Sequence, residues 1–389
     1  MKLKTCSMAI LLSILPISAI HASALDRSGQ SISAFLQSGH YTEAGISILD
    51  PRVSGHDITG HAVSDMAGDY YFPNAAVKVQ ATDQISFGLL YDQPFGADAM
   101  YPTSPSIFTH GVEGTSVEVK TQNLTGLMGY QPTENWNIYA GVAYQTVQAD
   151  IALRGAAYNN TGYKIDLEQE DAFGWVAGIA YQIPEIALKA ALTYRSEIEH
   201  NATSIETTDL AKLATTLPDQ DPRKALFSQL GHVESTTKAV TPQSVNLDFQ
   251  TGVASNTIAF ANLRWVHWSQ FAVRPSVLGA LGQNLIDYSD DQWSANVGVG
   301  HKFNRKWAGN ASMGWDSGAG NPVTTLGPTE GYWSIGLGGQ YSPTEHYFLQ
   351  AGVKYFWLGD AKAQTAGRIV GEFEDNHAIG YVMKMGYKF

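Results

Sequence analysis

The sequence predicts an all-β protein, a transmembrane antiparallel β-barrel of about 14 strands. Composition is the first reason: only 15% of the 389 residues are charged, yet the mean hydropathy is −0.14, too low for a bundle of membrane helices. Apolar and polar residues also alternate repeatedly, which places them on opposite faces of a strand. Finally, short turns alternate with long loops along the chain, as they do in membrane barrels.

Residues 1–24 are predicted to be a secretory signal peptide. Two lysines precede an apolar stretch, and Ala22-Ser23-Ala24 supplies the small residues of a cleavage site, so we expect cleavage after Ala24. Cleavage removes the only cysteine, Cys6, and changes the formal net charge from −12 to −14. We therefore expect an exported protein that is stable without disulfide bonds. The acidic balance argues against nucleic acid as a partner.

The C-terminal residues show the alternation most clearly. Tyr381, Met383, Met385, Tyr387 and Phe389 alternate with small or charged residues. An outer-membrane barrel closes on such a strand, and we interpret Tyr387 and Phe389 as the signal for the barrel-assembly machinery. The alternative is the terminal strand of a soluble sandwich.

Four upstream rows share this pattern, and aromatic residues stand at their ends. They begin at Trp136, Trp293, Trp333 and Tyr347. A soluble sandwich has no need for aromatic residues at both ends of a strand, whereas a lipid-facing strand places them at the two membrane interfaces. About six tight turns and seven longer loops would join about fourteen strands, which places both termini on the periplasmic side of a Gram-negative outer membrane.

Two segments do not resemble strands. Residues 25–40 precede the barrel (residues 41–389) and form a short N-terminal hatch, lying inside the barrel or below it. The longest loop, residues 201–234, has apolar residues at helical spacing. An apolar loop on the cell surface either covers a hydrophobic ligand or packs on the barrel rim.

Several stretches together resemble the FadL family of outer-membrane transporters for long-chain fatty acids and other hydrophobic compounds. They are Leu192-Thr193-Tyr194-Arg195-Ser196-Glu197, Thr241-Pro242-Gln243-Ser244-Val245, Trp268-Ser269-Gln270-Phe271, Phe87-Gly88-Leu89 with Pro94-Phe95-Gly96, Trp315-Asp316-Ser317 and the terminal Tyr387-Lys388-Phe389. The resemblance covers nearly the whole mature chain through the order and spacing of these stretches.

The resemblance implies a fourteen-stranded barrel with an N-terminal hatch, capture of ligand by extracellular loops, and release through a lateral gap where the third strand kinks. Here the kink would fall at Pro94, Phe95 and Gly96, because proline removes a donor from the ladder and glycine weakens pairing. The alternative is that these residues begin an external loop. The hatch is shorter than is usual in the family and lacks its Asn-Pro-Ala motif, which puts a ligand-triggered movement in doubt.

The candidate ligand-binding residues lie mainly in the long loop. An apolar tail would contact Leu213, Leu217, Leu226, Phe227 and Leu230, and a carboxylate would bind Lys212, Arg223, Lys224 or, at a strand end, Arg195. The alternative for the loop cations is pairing with Asp219, Asp221 or lipopolysaccharide phosphates.

We therefore expect passive uptake of hydrophobic compounds, most consistent with long-chain fatty acids, by a monomer that contacts outer-membrane lipid and lipopolysaccharide. No catalytic or nucleotide motif occurs, so neither an enzyme nor a cofactor or metal ion is expected. A porin for polar solutes is the alternative function, and a barrel enzyme acting on lipid is the second. The sequence does not distinguish fatty acids from alkanes or monoaromatic compounds.

Overall fold

A computed structural model describes residues 24–389, so the predicted signal peptide lies outside the described part of the chain. The described residues form a closed barrel of fourteen antiparallel strands, which confirms the predicted fold class and strand number. Closure is made by the first and last strands, which pair from Tyr41↔Lys388 to Arg52↔His377. Every strand therefore pairs with a neighbour on both sides, apart from short interruptions within some of the strands.

The strands follow one another around the barrel in chain order. They are β1 (Tyr41–Arg52), β2 (Tyr70–Gln80), β3 (Ile85–Asp92, resuming as Gly96–Met100), β4 (Ser116–Tyr130), β5 (Trp136–Ala152), β6 (Lys164–Ile183), β7 (Leu188–Arg195, resuming as Ile198–Thr207), β8 (His232–Thr241, resuming as Ser244–Ala254), β9 (Thr257–Val266), β10 (Gln292–Lys302), β11 (Trp307–Asp316), β12 (Tyr332–Tyr341), β13 (Tyr347–Leu358) and β14 (His377–Lys388).

The outer face of the wall is apolar and the inner face is polar. Leu337 and Met383 are 63% and 66% exposed, while the inward-facing Asn246 and Lys354 are almost completely buried. Exposed apolar side chains on successive strands form a continuous belt, and such a belt is stable only in a hydrocarbon environment. The alternation predicted for the C-terminal strand is thus present, with Tyr381 and Met385 also facing outward.

Aromatic residues border the belt at both ends. On the extracellular side, Trp265 is opposite Trp293, and Trp333 is opposite both Trp315 and Trp357. On the periplasmic side the ring pairs have centroid separations of 4.5–4.7 Å, and they are Trp136 with Tyr181, Trp307 with Tyr341, and Tyr347 with Tyr387. These two rows place the barrel in the membrane through the interfacial preference of tryptophan and tyrosine.

The extracellular loops contain short helices and small sheets. The helices are α1 (Leu210–Thr216), α2 (Pro222–Phe227) and α3 (Ser276–Ala280), with 3₁₀ turns at Ala156–Tyr158 and Trp268–Gln270 and a periplasmic one at Pro184–Ile186. A five-stranded sheet joins Gly55–Asp57, Ala62–Val63, Val323–Thr324, Ala361–Thr365 and Arg368–Phe373. Two further small sheets each consist of two strands of two residues. They pair Ala272–Val273 with Ile286–Asp287, and Thr109–His110 with Glu113–Gly114.

Hydrogen bonds join loops that are distant in sequence across the barrel mouth. The hydroxyl of Tyr101 donates to the Thr325 carbonyl at 2.6 Å, and that of Tyr158 donates to the Thr325 hydroxyl at 2.8 Å. Burial raises the pKa of Tyr158 to about 12, so this phenol stays a donor at ordinary pH. In the described part of the chain, no helix is long and apolar enough to cross a membrane.

Two details differ from the sequence-based expectations, and one alternative is excluded. Residues 201–207 and 232–234 belong to strands, so the longest loop spans only residues 208–231. The hairpin of β7 and β8 continues beyond the membrane because its polar residues still pair, from Ile198↔Thr241 to Thr207↔His232. Pro94 does not begin an external loop, because β3 resumes at Gly96. The helix-like spacing near Phe35 produces turns rather than a helix. The helices α1 and α2 lie within the longest loop, at the apolar residues that show helical spacing.

We predict that Leu337→Arg, in the middle of the lipid-facing belt, lowers the free energy of unfolding by about 2–4 kcal/mol, because a guanidinium must then be placed in hydrocarbon. Urea-dependent unfolding in lipid vesicles measures this difference. The matched control is Val112→Arg in a loop, where the replaced side chain is 87% exposed and the expected change stays within about 0.5 kcal/mol. Equal effects of the two substitutions would contradict the assignment of the belt.

Candidate functional site

An ion pair joins the N-terminal segment to the barrel wall. The carboxylate of Asp26 accepts a hydrogen bond of 2.7 Å from Arg264 Nε, and both side chains are almost fully buried. The same guanidinium donates to Asn246 on β8 at 2.7 Å and to Gln30 of the segment at 3.2 Å. Arg264 faces inward because it alternates with the outward Leu263 and Trp265 on β9.

Further donors from the wall bind backbone carbonyls of the segment. Asn246 donates to the Gly29 carbonyl at 2.9 Å, and the ammonium groups of Lys189 and Lys78 donate to the carbonyls of Leu36 and Gln37 at 2.7 Å. These contacts reach the neighbouring strands β7 and β8 and, on another side of the barrel, β2. They place residues 25–40 in the lumen and satisfy carbonyls that a segment without regular structure leaves unpaired.

The ring of Phe35 fixes the segment against the inner wall. It is fully buried and packs edge-on against Tyr139 at a centroid distance of 5.6 Å. Two wall glycines make room for it: a Cβ at Gly88 would lie 2.4 Å from the ring, and one at Gly129 would lie 2.9 Å from it. No other residue type fits these two positions without moving the ring.

The interruption of β3 is bound by the first residues of the segment. Arg27 N donates to the Pro94 carbonyl at 2.8 Å, and Gly96 N donates to the Leu25 carbonyl at 3.0 Å. The hydroxyl of Thr121 on β4 bridges the amide and the carbonyl of Phe95. The N-terminal segment thus replaces β2 as the pairing partner at the point where proline breaks the ladder.

A window in the wall results from this exchange of partners. The pairing of β2 with β3 ends at Ala75↔Tyr91, so residues 70–74 of β2 have no β3 partner. Pairing of β3 with β4 passes from Asp92↔Asn123 to Gly96↔Lys120, which includes one extra residue on β3. An isolated bridge between Ala67 and Ala99 closes the window on the extracellular side.

A cavity lies behind this window, between the segment and the wall. Its lining includes Arg27, Ser28, Asn74, Asp92, Asn123 and Arg195. It leaves about 60 Å³ for solvent, which is room for only a few water molecules. Ser28 donates to Asp92 at 2.6 Å and Asn123 donates to it at 3.0 Å, so this carboxylate is held by neutral donors.

Arg195 is one of three cations that line this space, with Arg27 and Lys384. It is 7% exposed, stands at the break in β7, and lines both this cavity and a second one nearer β5 and β6. Its Nη1 has no hydrogen-bond partner among the described residues. A buried guanidinium nitrogen without a partner is costly, and an anionic group bound there would remove that cost.

The three cations predicted in the loop are each held by a neighbouring aspartate. Lys212 lies 2.7 Å from Asp209, Arg223 lies 2.7 Å from Asp221, and Lys224 lies 2.6 Å from Asp219. The pairing with Asp219 and Asp221 is the one that the sequence offered as an alternative. It makes these cations weaker candidates for a carboxylate than Arg195, since exposed pairs are already solvated and neutralised.

The apolar residues predicted in the loop divide between its surface and its core. Leu213 on α1 and Leu226 on α2 are 47% and 39% exposed, while Leu230 is buried. Leu217 and Phe227 are partly exposed, and Phe227 packs against the buried core. The loop therefore presents a small exposed apolar surface formed by Leu213 and Leu226.

The C-terminal residues close the periplasmic end of the wall. Phe389 stacks on His40 at a centroid distance of 5.2 Å, and Tyr387 packs against Tyr347 at 4.5 Å. His40 joins the N-terminal segment to β1, so the start of the first strand and the end of the last strand meet here. A role of Tyr387 and Phe389 in assembly stays a prediction.

Sequence reasoning missed Asp26, Gln30, Asp92 and Arg264. The alternation in β9 contains a usable signal, because Arg264 falls on the inward face of a strand whose outward face is apolar. A buried arginine requires a counter-ion, but its partner lies 238 residues away in sequence.

We predict that Arg264→Met releases the N-terminal segment from the lumen. The substitution leaves the carboxylate of Asp26 buried without its cation, which costs about 3–5 kcal/mol. The expected result is an increase in ion conductance in planar lipid bilayers, together with proteolytic cleavage within residues 25–40. The control is Arg52→Met, which removes an exposed ion pair with Asp50 and Asp65 and is expected to change neither measurement. Unchanged conductance for Arg264→Met would show that this ion pair does not retain the segment.

Comparison with known proteins identifies the family. The profile described as outer membrane protein transport protein (OMPP1/FadL/TodX) matches residues 24–389. No curated protein sequence matches the chain.

Solved structures share the fold at low sequence identity. A Pseudomonas aeruginosa FadL homologue superposes with a TM-score of 0.73 at 13% identity, over 95% of each chain. The Pseudomonas putida toluene transporter TodX has a TM-score of 0.64 at 12% identity, over 92% of this chain and 91% of its own. For the Ralstonia pickettii toluene transporter TbuX, the values are 0.62 and 12%, over 96% and 98%. The chain therefore belongs to the OMPP1/FadL/TodX family of Gram-negative outer-membrane transport proteins for hydrophobic compounds.

Proposed function

We propose that this protein carries hydrophobic compounds with a carboxylate headgroup, most consistent with long-chain fatty acids, passively across the outer membrane. The observation that supports this substrate class is Arg195, a buried guanidinium with an unpartnered Nη1 that lines two lumenal cavities. A monoaromatic hydrocarbon has no group that would pair with this cation. A fatty acid supplies a carboxylate for Arg195, and its tail contributes about 0.8 kcal/mol for each buried CH₂ group.

The proposed path begins at the surface of the 208–231 loop and ends at the window beside β3. Leu213 and Leu226 would receive the apolar tail, and the headgroup would then pass to Arg195. The space behind the window is too small for a fatty acid, so transport requires the N-terminal segment, acting as the hatch, to move away from Pro94, Phe95 and Gly96. At this end of the segment, that movement is opposed by backbone hydrogen bonds, by the Arg264–Asp26 pair, and by side-chain hydrogen bonds that hold Ser28, Gly29 and Gln30. The segment would thus regulate release to the membrane.

A pore for polar solutes is a second candidate function, because the cavity lining is rich in hydroxyl, amide and charged groups. This function requires a water-filled path through the lumen, and the N-terminal segment occupies that space. Stable ion conductance of the unmodified protein in planar bilayers would support the pore, whereas rare and brief openings would support the transporter.

We predict that Arg195→Gln slows uptake of oleate at least tenfold, because a charge-assisted hydrogen bond of about 1.5–3 kcal/mol is lost. Uptake of toluene, which has no carboxylate, should be unaffected in the same cells. The measurement is the initial rate with radiolabelled compounds in cells whose own fatty-acid uptake protein has been deleted. Lys212→Gln is the matched control, since Lys212 is exposed and already paired. An equal loss of oleate and toluene uptake would exclude Arg195 as a carboxylate site.

We predict that replacing both Leu226 and Phe227 with serine weakens oleate uptake severalfold without affecting insertion of the barrel. The substitutions remove apolar surface from the proposed capture loop, and the wall contains neither residue. Heat-dependent mobility on gels reports insertion, and the initial uptake rate reports capture. Unchanged uptake by a correctly inserted variant would remove this loop from the mechanism.

A further inference from the structure

A second interruption of the wall lies between β6 and β7. These strands pair from Ile183↔Leu188 to Val176↔Arg195, and again from Leu167↔Ser204 to Lys164↔Thr207. Between these two stretches, residues 168–175 and residues 196–203 form no ladder with each other. The register is the same on both sides, so the strands separate and rejoin without slipping. The window lies between β2 and β3, so the four strands β3 to β6 separate it from this gap.

The gap arises because β7 and β8 bend together. β7 is interrupted at Ser196 and Glu197, and β8 is interrupted at Pro242 and Gln243, yet their common register continues across the break. The proline cannot donate to a ladder, which favours a break at this height. Beyond the break the hairpin leans into the lumen, where Thr241 and His200 bond to the buried Gln145 of β5 at 2.7 and 3.1 Å.

Free space adjoins the gap on both sides of the wall. On the outer surface a groove of about 520 Å³ is lined by Phe173, Gly174, Trp175, Tyr194, Ser196, Glu197 and Gln243. On the inner side a much smaller cavity, with about 10 Å³ open to solvent, reaches from Val176 and Ile198 to Arg195. Trp175 and Ser196 line both spaces, so they form the partition between the outer groove and the inner cavity.

The partition is held by few interactions. Trp175 N donates to the Ser196 hydroxyl at 2.9 Å, and Ser196 N donates to the Trp175 carbonyl at 3.0 Å. The remaining space is filled by Ile198, whose side chain packs so closely over Gly174 that a Cβ there would lie 2.6 Å from its Cγ1. A rotation of this one side chain, with the loss of two hydrogen bonds, would join the two spaces.

We propose that the β6–β7 gap is a second lateral passage, in which the alkyl chain of a fatty carboxylate runs from the inner cavity to the aromatic groove on the outer surface. This inference rests on the proposed function, because it places the headgroup at Arg195. The charges define the orientation. Glu197 on the groove repels a carboxylate outside, and the unpartnered Nη1 of Arg195 attracts it inside. The rings of Phe173, Trp175 and Tyr194 provide an apolar surface for the tail.

A reversible disulfide across the partition tests the passage. A Cβ at Gly174 would lie 2.9 Å from the Ser196 hydroxyl oxygen, close to the distance of about 3 Å between a Cβ and the partner sulfur in a disulfide. The pair Gly174→Cys with Ser196→Cys therefore closes the gap when oxidised. The matched control is Ser312→Cys with Gly336→Cys, which has the same 2.9 Å separation on the continuously paired strands β11 and β12. The only natural cysteine, Cys6, precedes the predicted cleavage site.

The measurement is the initial rate of oleate uptake by cells that lack another fatty-acid uptake protein, with and without dithiothreitol. We expect the oxidised Gly174–Ser196 pair to take up oleate at least threefold more slowly than the reduced pair, and the control pair to show equal rates. Equal rates for both pairs, with the disulfides demonstrated by mass spectrometry, would overturn the passage alone. Absence of oleate uptake by the unmodified protein would overturn the proposed function and this inference with it.

Substitutions of Ile198 test the passage without a disulfide. Ile198→Ala removes the side chain that fills the gap and is expected to raise the rate of oleate uptake at least twofold. Ile198→Trp fills the gap further and is expected to lower it by a similar factor. A purely structural role would make both variants slower or leave both unchanged, and either result would contradict the passage.

Discussion

Hydrocarbon provides no hydrogen-bond partners for a peptide backbone, and this constraint determines the architecture of the whole protein. Fourteen strands close on themselves because an open edge would leave amides and carbonyls unpaired in lipid. The places where the ladder is incomplete are therefore informative. Beside β3, residues 25–27 supply the missing pairing, and beside β6 the Ser196 hydroxyl and amide supply part of it. Both substitutes are local contacts, which are weaker than a continuous ladder.

The interior follows a different physical requirement, since it contains charges that need partners. Arg264 has Asp26 and two amide oxygens, and Asp92 has Ser28 and Asn123. Arg195 is less well satisfied, although it is also buried. The two arginines therefore differ in their hydrogen bonds, and this difference is the basis for proposing Arg195 as the ligand-binding cation. In the 208–231 loop each cation is paired with an aspartate near the surface, so its charge is expected to have little effect on binding.

The wall was predictable because its signal is local. Alternation at Trp136, Trp293, Trp333, Tyr347 and the C-terminus, together with turn lengths, was sufficient for the fold class and the strand number. The predicted start of the long loop at residue 201 was wrong, because residues 201–207 are still paired in a strand. Strands that extend beyond the membrane lose their apolar face, so the alternation that marks a strand in the sequence disappears while the pairing continues. The interior was not predictable, since the Arg264–Asp26 contact joins residues 238 positions apart. Arg195 was a candidate because of its position at a strand end, but the lack of a hydrogen-bond partner for its Nη1 appears only in three dimensions.

The two glycines that accommodate Phe35 have an evolutionary consequence. Positions 88 and 129 lie on different strands, and each is compatible with an aromatic residue at 35 only while it lacks a side chain. A mutation at any one of the three positions changes which residues are acceptable at the other two. These positions should therefore vary together among descendants of this sequence. Descendants that lose the ring could accept a side chain at position 88, whereas position 129 would still be limited by Ser86 and Asn137, and descendants that keep the ring would keep both glycines.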